Sequence, residues 1–226
     1  MTETVLVVAK APSPGRSKTR LVPPLTPEQA AALHEVLLLD TLDSCRAECD
    51  DVRLLHASED DAAELGRIAP GVPLVAQEGR GLAAALQRGI ASHVGHGQCV
   101  IVSSDVPGLP AGAHPDQPVA AVQSGAEHDI GATAERGERR PNRSAHEAPF
   151  RAIPWSTPAV LAVTRMRCAE AGLELVELEP WQDVDTLVDL AALATGRVLS
   201  SARRTAELLR ELDGDLPRSA GVELLA

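Results

Sequence analysis

Strands alternating with helices predict an α/β fold, a doubly wound and mostly parallel sheet forming a single domain over residues 1–226. Three observations carry this reading. The run TVLVVAK, Thr4 to Lys10, is apolar and β-rich and breaks into a loop dense in Pro, Gly and basic residues. The run QCVIVS, Gln98 to Ser103, is apolar without alternation, the pattern of a strand buried on both faces in the middle of a parallel sheet. A chain of 226 residues, 44% hydrophobic and 23% charged, has the size and composition of one α/β domain rather than of a disordered or membrane chain.

Each element follows in order. After the first strand, Thr26 is an N-cap and Pro27 a first helical residue, and Ala30 to Cys49 carries an apolar helical pattern. Val52 to Ala57 reads as the next strand and Ser58 to Ile68 as a capped helix. VPLVAQ, within Pro70 to Gln77, is a short strand ending in a loop with Gly79 and Gly81, and Leu82 to His93 is a third helix. The central strand Gln98 to Ser103 then ends at Ser104-Asp105-Val106-Pro107. From Ala111 to Ala148 periodicity is weak apart from Val119 to Val122 and a strand at Asp129 to Ala134. This polar, Pro- and Gly-rich stretch, with Pro149 to Arg151, is expected to be the least ordered part of the domain. Order returns at Ile153 with a turn and a capped helix through Ala171, the strand LELVEL, a helix from Leu187 to Ala194, and an amphipathic closing helix within Ser200 to Leu212.

Composition excludes several classes. Phe150, Trp155 and Trp181 are the only aromatics and Tyr is absent, which argues against a single-stranded nucleic-acid platform of stacked rings. Lys and Arg total 21 against 32 Asp and Glu, a net charge of −11 that opposes a phosphate-backbone partner. The apolar run near Met1 lacks the basic start and length of a secretory signal, and no segment reaches the ~20 apolar residues of a membrane span. Cys45, Cys49, Cys99 and Cys168 lack zinc-type spacing. A cytoplasmic protein without nucleic-acid or membrane partners is expected.

Three constellations can carry chemistry. Lys10, Arg16, Lys18 and Arg20 follow the first strand, and a Gly-containing basic loop there can surround phosphate oxygens with backbone N–H groups while the cations neutralise them. On composition alone a solvated basic turn has equal weight, and the spacing of Gly15 and Lys18 does not make a Walker loop. Asp105, where a central strand emerges, suits a hard divalent cation, although an isolated Asp there also serves to cap a turn. Asp183 and Asp185 precede a helix. On extended chain they face opposite ways, so one is expected to reach a shared metal and the other to cap the helix. Ser13, Ser104 and Ser156 lack a Gly-x-Ser-x-Gly elbow, Gly95 and Gly97 argue against a common helix on which His93 and His96 could share a metal, and Arg136, Arg139, Arg140 and Arg143 read as a solvated loop.

Together AKAPSPGRSKTRL (Ala9 to Leu21), SSDVPGLP (Ser103 to Pro110), IPWSTP (Ile153 to Pro158) and PWQDVDT (Pro180 to Thr186) resemble the bacterial GT-A-like proteins known as radical-SAM/selenodomain-associated transferases. The order and spacing match over most of the chain. The resemblance implies a nucleotide-diphospho-sugar-transferase fold related to 2-phospholactate guanylyltransferases and molybdenum-cofactor nucleotidylyltransferases. It also implies that the first loop, Ala9, Lys10, Arg16, Lys18 and Arg20, holds a nucleotide phosphate. Asp105 would bind Mg²⁺ or Mn²⁺ with Asp185, less surely Asp183, as second acidic position, and Gly79 and Gly81 would lie near the base. Lys18, Arg20 and Asp105 would be the catalytic set.

The chain departs from the family at Gly131 to Arg140, GATAERGERR, where a Gly-Pro-Ala-x-Asp-Gly-Gly-Tyr stretch is usual, and at the polar run Arg140 to Arg151 that follows. In this fold that region, about 111–151, borders the acceptor side. A transferase with a changed acceptor, an inactive relative and a shifted reading frame are all compatible with it. The expected function is a metal-dependent transferase, glycosyl or nucleotidyl, using a nucleotide or nucleotide-sugar donor and a small-molecule acceptor. The rival is a non-catalytic nucleotide-binding relative.

Overall fold

The computed structural model describes residues 2–79, 82–93, 97–108, 120–122, 130–132, 148–154, 157, 159–172, 175–177, 183–195 and 201–213. Within them, β1 (Thr2–Ala9), β2 (Val52–His56), β3 (Leu74–Ala76), β4 (Gly97–Ser103), β5 (Ala120–Val122), β6 (Ile130–Ala132) and β7 (Leu175–Glu177) form one sheet of order β3-β2-β1-β4-β5-β6-β7. The strands from β3 through β5 run parallel, and β6 runs antiparallel to both its neighbours. The expected doubly wound, mostly parallel α/β architecture is the one observed.

The apolar runs explain which strands are central. Val5 pairs with Val52 on one side and Val100 on the other, and Val5, Leu6 and Val7 have no exposed surface. Successive residues of β1 serve opposite faces. Val5 and Val7 join Leu38, Leu42 and Cys45 of helix α1 (Pro27–Glu48) and Leu65 of α2 (Glu59–Ile68), whereas Leu6 joins Leu86 of α3 (Leu82–His93), Cys99, Ile101 and Phe150. Helices therefore cover both faces, as a non-alternating strand requires. Close approach of α3 depends on Gly89, where a Cβ would lie 3.2 Å from Leu6 Cδ1.

Local chemistry sets the helix starts. Thr26 and Gln29 form a reciprocal capping box with Pro27 in the first turn, and Ser58 caps α2 by accepting the Asp61 N–H. Three further helices, α4 (Val160–Ala171), α5 (Leu187–Thr195) and α6 (Arg203–Asp213), follow in the second half. A separate apolar cluster joins Leu21, Leu25, Leu33 and Leu37 to Val184, Leu190, Leu193, Leu209 and Leu212. Each such fully buried Leu contributes about 1.5–3 kcal/mol. Beside this cluster Asp40 of α1, only 2% exposed, accepts from Thr205 N and Oγ1 at 2.8 Å and from Arg204 N and Nη1 at 3.3 Å. Arg204 also pairs with Asp43. The carboxylate thus satisfies N–H groups at the start of α6 and fixes that helix to α1.

Ala148–Phe150 forms a 3₁₀ turn, and Phe150 is buried against the α3 face of the sheet. Its one aromatic ring supplies apolar surface that the surrounding polar run conceals. Strands β5 and β6 fall within the expected Val119–Val122 and Asp129–Ala134 segments. Residues 109–119, 123–129 and 133–147, with Arg136, Arg139, Arg140 and Arg143, lie outside the described residues, as do Gly81, His96, Trp155 and Trp181.

Candidate functional site

The loop after β1 is built to turn one cation inward. Ser13 O accepts from Arg16 N at 3.1 Å and Ser17 N at 3.0 Å, and buried Ser17 Oγ accepts the Ser13 N–H at 2.9 Å. Gly15 has φ +73, and Lys18 itself sits in the left-handed region with φ 46 and ψ 41. A side chain in that region is a local strain of order 1–3 kcal/mol that the surroundings must hold. Here a 3₁₀ turn, Thr19–Leu21, anchored by buried Leu21, follows at once. The Lys18 side chain is 5% exposed as a result, while Arg20 reaches out at 71%.

A second set of bonds holds the loop's entry. Asp61 Oδ1 accepts the Ala11 N–H at 2.9 Å, and Asp61 Oδ2 accepts from Ser58 Oγ at 2.6 Å. One carboxylate therefore joins the start of α2 to the chain leaving β1. Asp61→Ala is expected to cost about 1–2 kcal/mol of stability and to weaken any anion held by the loop more than it weakens an uncharged ligand. Paired thermal melts and calorimetric titrations test this, and equal weakening of charged and uncharged ligands would reject a positioning role for Asp61.

Acidic groups meet this loop from the end of β4 and from the segment that leads into α5. Asp105 follows β4, where Ser103 Oγ donates to its Oδ1 at 2.5 Å. The Asp105 carbonyl accepts the Val184 N–H at 3.3 Å, bringing residues 183–185 alongside. Thr41 Oγ1 of α1 donates to the Ser104 carbonyl at 3.5 Å from the other side. Lys18 Nζ then donates to Asp105 Oδ2 at 2.5 Å and to Asp185 Oδ1 at 2.9 Å, and Arg20 Nη1 donates to Asp185 Oδ2 at 3.3 Å. Carboxylate oxygens of Asp105, Asp183 and Asp185 all lie within 4.8 Å of one another.

The convergence of both Asp183 and Asp185 departs from the sequence expectation. Residues 183–185 are not a strand, so the alternation of an extended chain does not separate their side chains. Neither caps α5. That work falls to Thr186 and Asp189, whose side chains exchange bonds with each other's backbone N–H at 3.3 Å and 2.6 Å.

The charges perturb one another. Burial would lower the Lys18 pKa, but Asp105 and Asp185 outweigh it and hold the ammonium above its usual value. Burial likewise opposes ionisation of Asp105, yet Lys18 and the Ser103 hydroxyl hold its carboxyl below the usual range. Asp183 is pushed up to about 7 by burial and then by the negative charges of Asp105 and Asp185. Three carboxylates crowd one position and a single buried ammonium does not balance them. His34 of α1 is buried with Nδ1 lacking a hydrogen-bond partner, and burial followed by nearby Lys18 lowers its pKa to about 4, leaving the ring neutral at neutral pH.

Of the residues singled out from sequence, Lys18, Arg20, Asp105, Asp183 and Asp185 come together here. Ala9 closes β1, Lys10 and Arg16 are exposed in the loop, and Gly79, φ +86, follows β3 with its carbonyl accepting from Gln77 Nε2 at 3.0 Å. Sequence reasoning gave no role to Ser103, His34 or Asp61. Ser103 was within reach, because a hydroxyl two residues before a strand-end Asp on a turning chain can approach it. The other two come from α1 and α2 and carry no local signal.

Comparison with known proteins bears on the fold. No family model matches the chain, and no curated protein matches it. Among solved structures, one described as a "putative nucleotide-diphospho-sugar transferase" from Desulfovibrio desulfuricans aligns with a TM-score of 0.72 at 24% identity, covering 95% of this chain and 96% of that one. The chain is thus similar over nearly its whole length to a nucleotide-diphospho-sugar-transferase-like fold, with a partly buried aspartate trio that could hold a metal. The likeness is one of fold and carries nothing about a radical-SAM, selenodomain or guanylyltransferase association. Among the described residues no helix is long and apolar enough to cross a membrane.

Proposed function

We propose that this chain is a metal-dependent transferase that binds a nucleotide or nucleotide-sugar donor at the carboxyl ends of β1 and β4 and passes a glycosyl group to a small-molecule acceptor. The observation that carries the reading is the meeting of Asp105, Asp183 and Asp185 with the cationic loop of Lys18 and Arg20. The donor set fits a divalent ion. It offers only carboxylate oxygens, as Mg²⁺ and Mn²⁺ prefer, and one oxygen from each of the three residues lies within 4.8 Å of the others. Asp105, Asp183 and Asp185 would hold the ion, which supplies charge neutralisation for a diphosphate.

The chain's own groups do the rest. Backbone N–H groups of the first loop and the exposed Arg16 and Arg20 side chains bind and orient phosphate oxygens, and Lys18 stabilises the negative charge that develops on the leaving phosphate. In glycosyl transfer the bond from the sugar's anomeric carbon to the phosphate oxygen breaks and the nucleoside diphosphate leaves. In nucleotidyl transfer, the other reaction such a loop can serve, pyrophosphate leaves. The likeness to a structure described as a nucleotide-diphospho-sugar transferase favours the first.

The test is a thermal-shift panel of nucleotides and nucleotide sugars with and without Mn²⁺. A ligand at 100 times its dissociation constant adds about 2.7 kcal/mol, or about 5–11 °C for a chain of this size. No shift from any of them, with or without Mn²⁺, would reject the reading. Within it, Arg16→Ala and Arg20→Ala should each weaken a nucleoside diphosphate about tenfold or more while leaving the bare nucleoside nearly unchanged, as calorimetry would show. Equal losses for both ligands would remove the two arginines from the phosphate site.

A further inference from the structure

Lys18 occupies the place a divalent ion would need. Its Nζ lies 2.5 Å from Asp105 Oδ2 and 2.9 Å from Asp185 Oδ1, so one ammonium bridges two of the three converging carboxylates. The remaining oxygens of those two groups are also engaged, Asp105 Oδ1 by the Ser103 hydroxyl and Asp185 Oδ2 by Arg20. A Mg²⁺-sized ion sits only about 2.0–2.1 Å from its ligand oxygens. An ion bound to the oxygens that Lys18 touches would therefore stand beside a buried ammonium, in surroundings that screen their repulsion poorly.

We propose that Lys18 is the resident counter-cation of the aspartate trio and contends with the divalent ion for it, so that metal binds well only when a phosphate ligand draws the ammonium away. The inference rests on the reading of the trio as a divalent-ion site. The side chain is suited to the exchange. Lys carries a point charge on a flexible four-carbon stem, whereas its backbone is held by the Ser13–Ser17 turn and by buried Leu21, so the ammonium can swing while the loop keeps its shape. The same cation then serves two partners in turn, the carboxylates in the empty chain and the donor's phosphate in the loaded one. Metal and nucleotide bind cooperatively in consequence, because phosphate draws the ammonium out of the metal's place and metal on the carboxylates frees the ammonium for phosphate.

The test uses Mn²⁺ alone, without nucleotide, titrated into the full chain and followed by electron paramagnetic resonance. Lys18→Met keeps the length of the side chain and removes the charge, and it should bind Mn²⁺ at least about tenfold more tightly than the wild type. Lys18→Arg retains the charge and should stay within about threefold of the wild type. Should Lys18→Met not fold alone, Mn²⁺ should restore its circular dichroism and raise its melting temperature more than that of the wild type. Unchanged or weaker Mn²⁺ binding by folded Lys18→Met, or no rescue of the unfolded one, overturns the proposal. Adding Asp105→Asn to Lys18→Met separates the two ideas. If the double variant loses the Mn²⁺, the ion is at the trio. If it binds as tightly as Lys18→Met, the trio is not the site and the reading beneath the proposal fails as well.

Discussion

Asp105→Asn is expected to weaken nucleotide binding in the presence of Mn²⁺ by about a hundredfold or more, the largest functional loss of any single substitution in the site. The asparagine keeps the shape of the side chain and one oxygen for the Ser103 hydroxyl, but it takes a negative charge from the place where Lys18, Asp183 and Asp185 meet. Stability should fall too. Strand-end position alone would assign Asp105 wholly to the ligand, but the Lys18 ammonium is buried and Asp105 is one of its two carboxylate partners. Removing a partner from a buried ion pair typically costs about 3–5 kcal/mol when nothing replaces it, and Asp185 remains in place, so about 2 kcal/mol is expected here. Calorimetric titration with Mn²⁺ and nucleotide measures the first effect and thermal melts the second. Undiminished affinity in a folded variant would take Asp105 out of the site.

The largest loss of stability should come from a residue outside the site. Asp40→Ala leaves Thr205 N and Oγ1, Arg204 N and the Arg204 guanidinium without their buried acceptor. Hydrogen bonds to a charged group are worth about 1.5–3 kcal/mol each and do not add fully, so a total near 4 kcal/mol is reasonable. For a chain of this size that is a fall of about 8–16 °C in melting temperature. Asp43→Ala removes only the outer partner of Arg204 and should cost less than about 1 kcal/mol. Similar losses for the two variants in thermal melts would show that the Asp40 network does not fix α6.

Much of the fold is legible because its signals are local. Pro27 after Thr26 announces α1, Ser58 announces α2, and the unbroken apolar run of Gln98 to Ser103 announces a strand with helices on both faces. The site is legible only where it shares that property. Lys18 and Arg20 stand out as cations in an acidic chain, and Asp105 stands out at a strand end. What ties them together spans 87 residues from Lys18 to Asp105 and 167 from Lys18 to Asp185, and no short window shows it. The meeting of Asp183 with Asp185 is not legible, because period-2 alternation holds for extended chain and a coil segment leading into a helix does not alternate. The burial of Phe150 is not legible, because a lone ring in a polar run changes the local composition very little.

Leu21 and Leu25 follow directly on Lys18 and Arg20, yet the cluster that buries them is completed by Leu190 and Leu193 of α5 and by Leu209 and Leu212 of α6. A chain emerging from the ribosome makes the cationic loop early and its support nearly last. At about 5–20 residues per second, roughly ten seconds or more separate the two. During that interval the strands of the parallel sheet can assemble, while the inward turn at Lys18 has neither its apolar anchor nor Asp185 to receive the ammonium. The order of synthesis therefore defers the charged centre until the surrounding framework exists, and the buried ammonium and its carboxylate partners meet only in the completed fold.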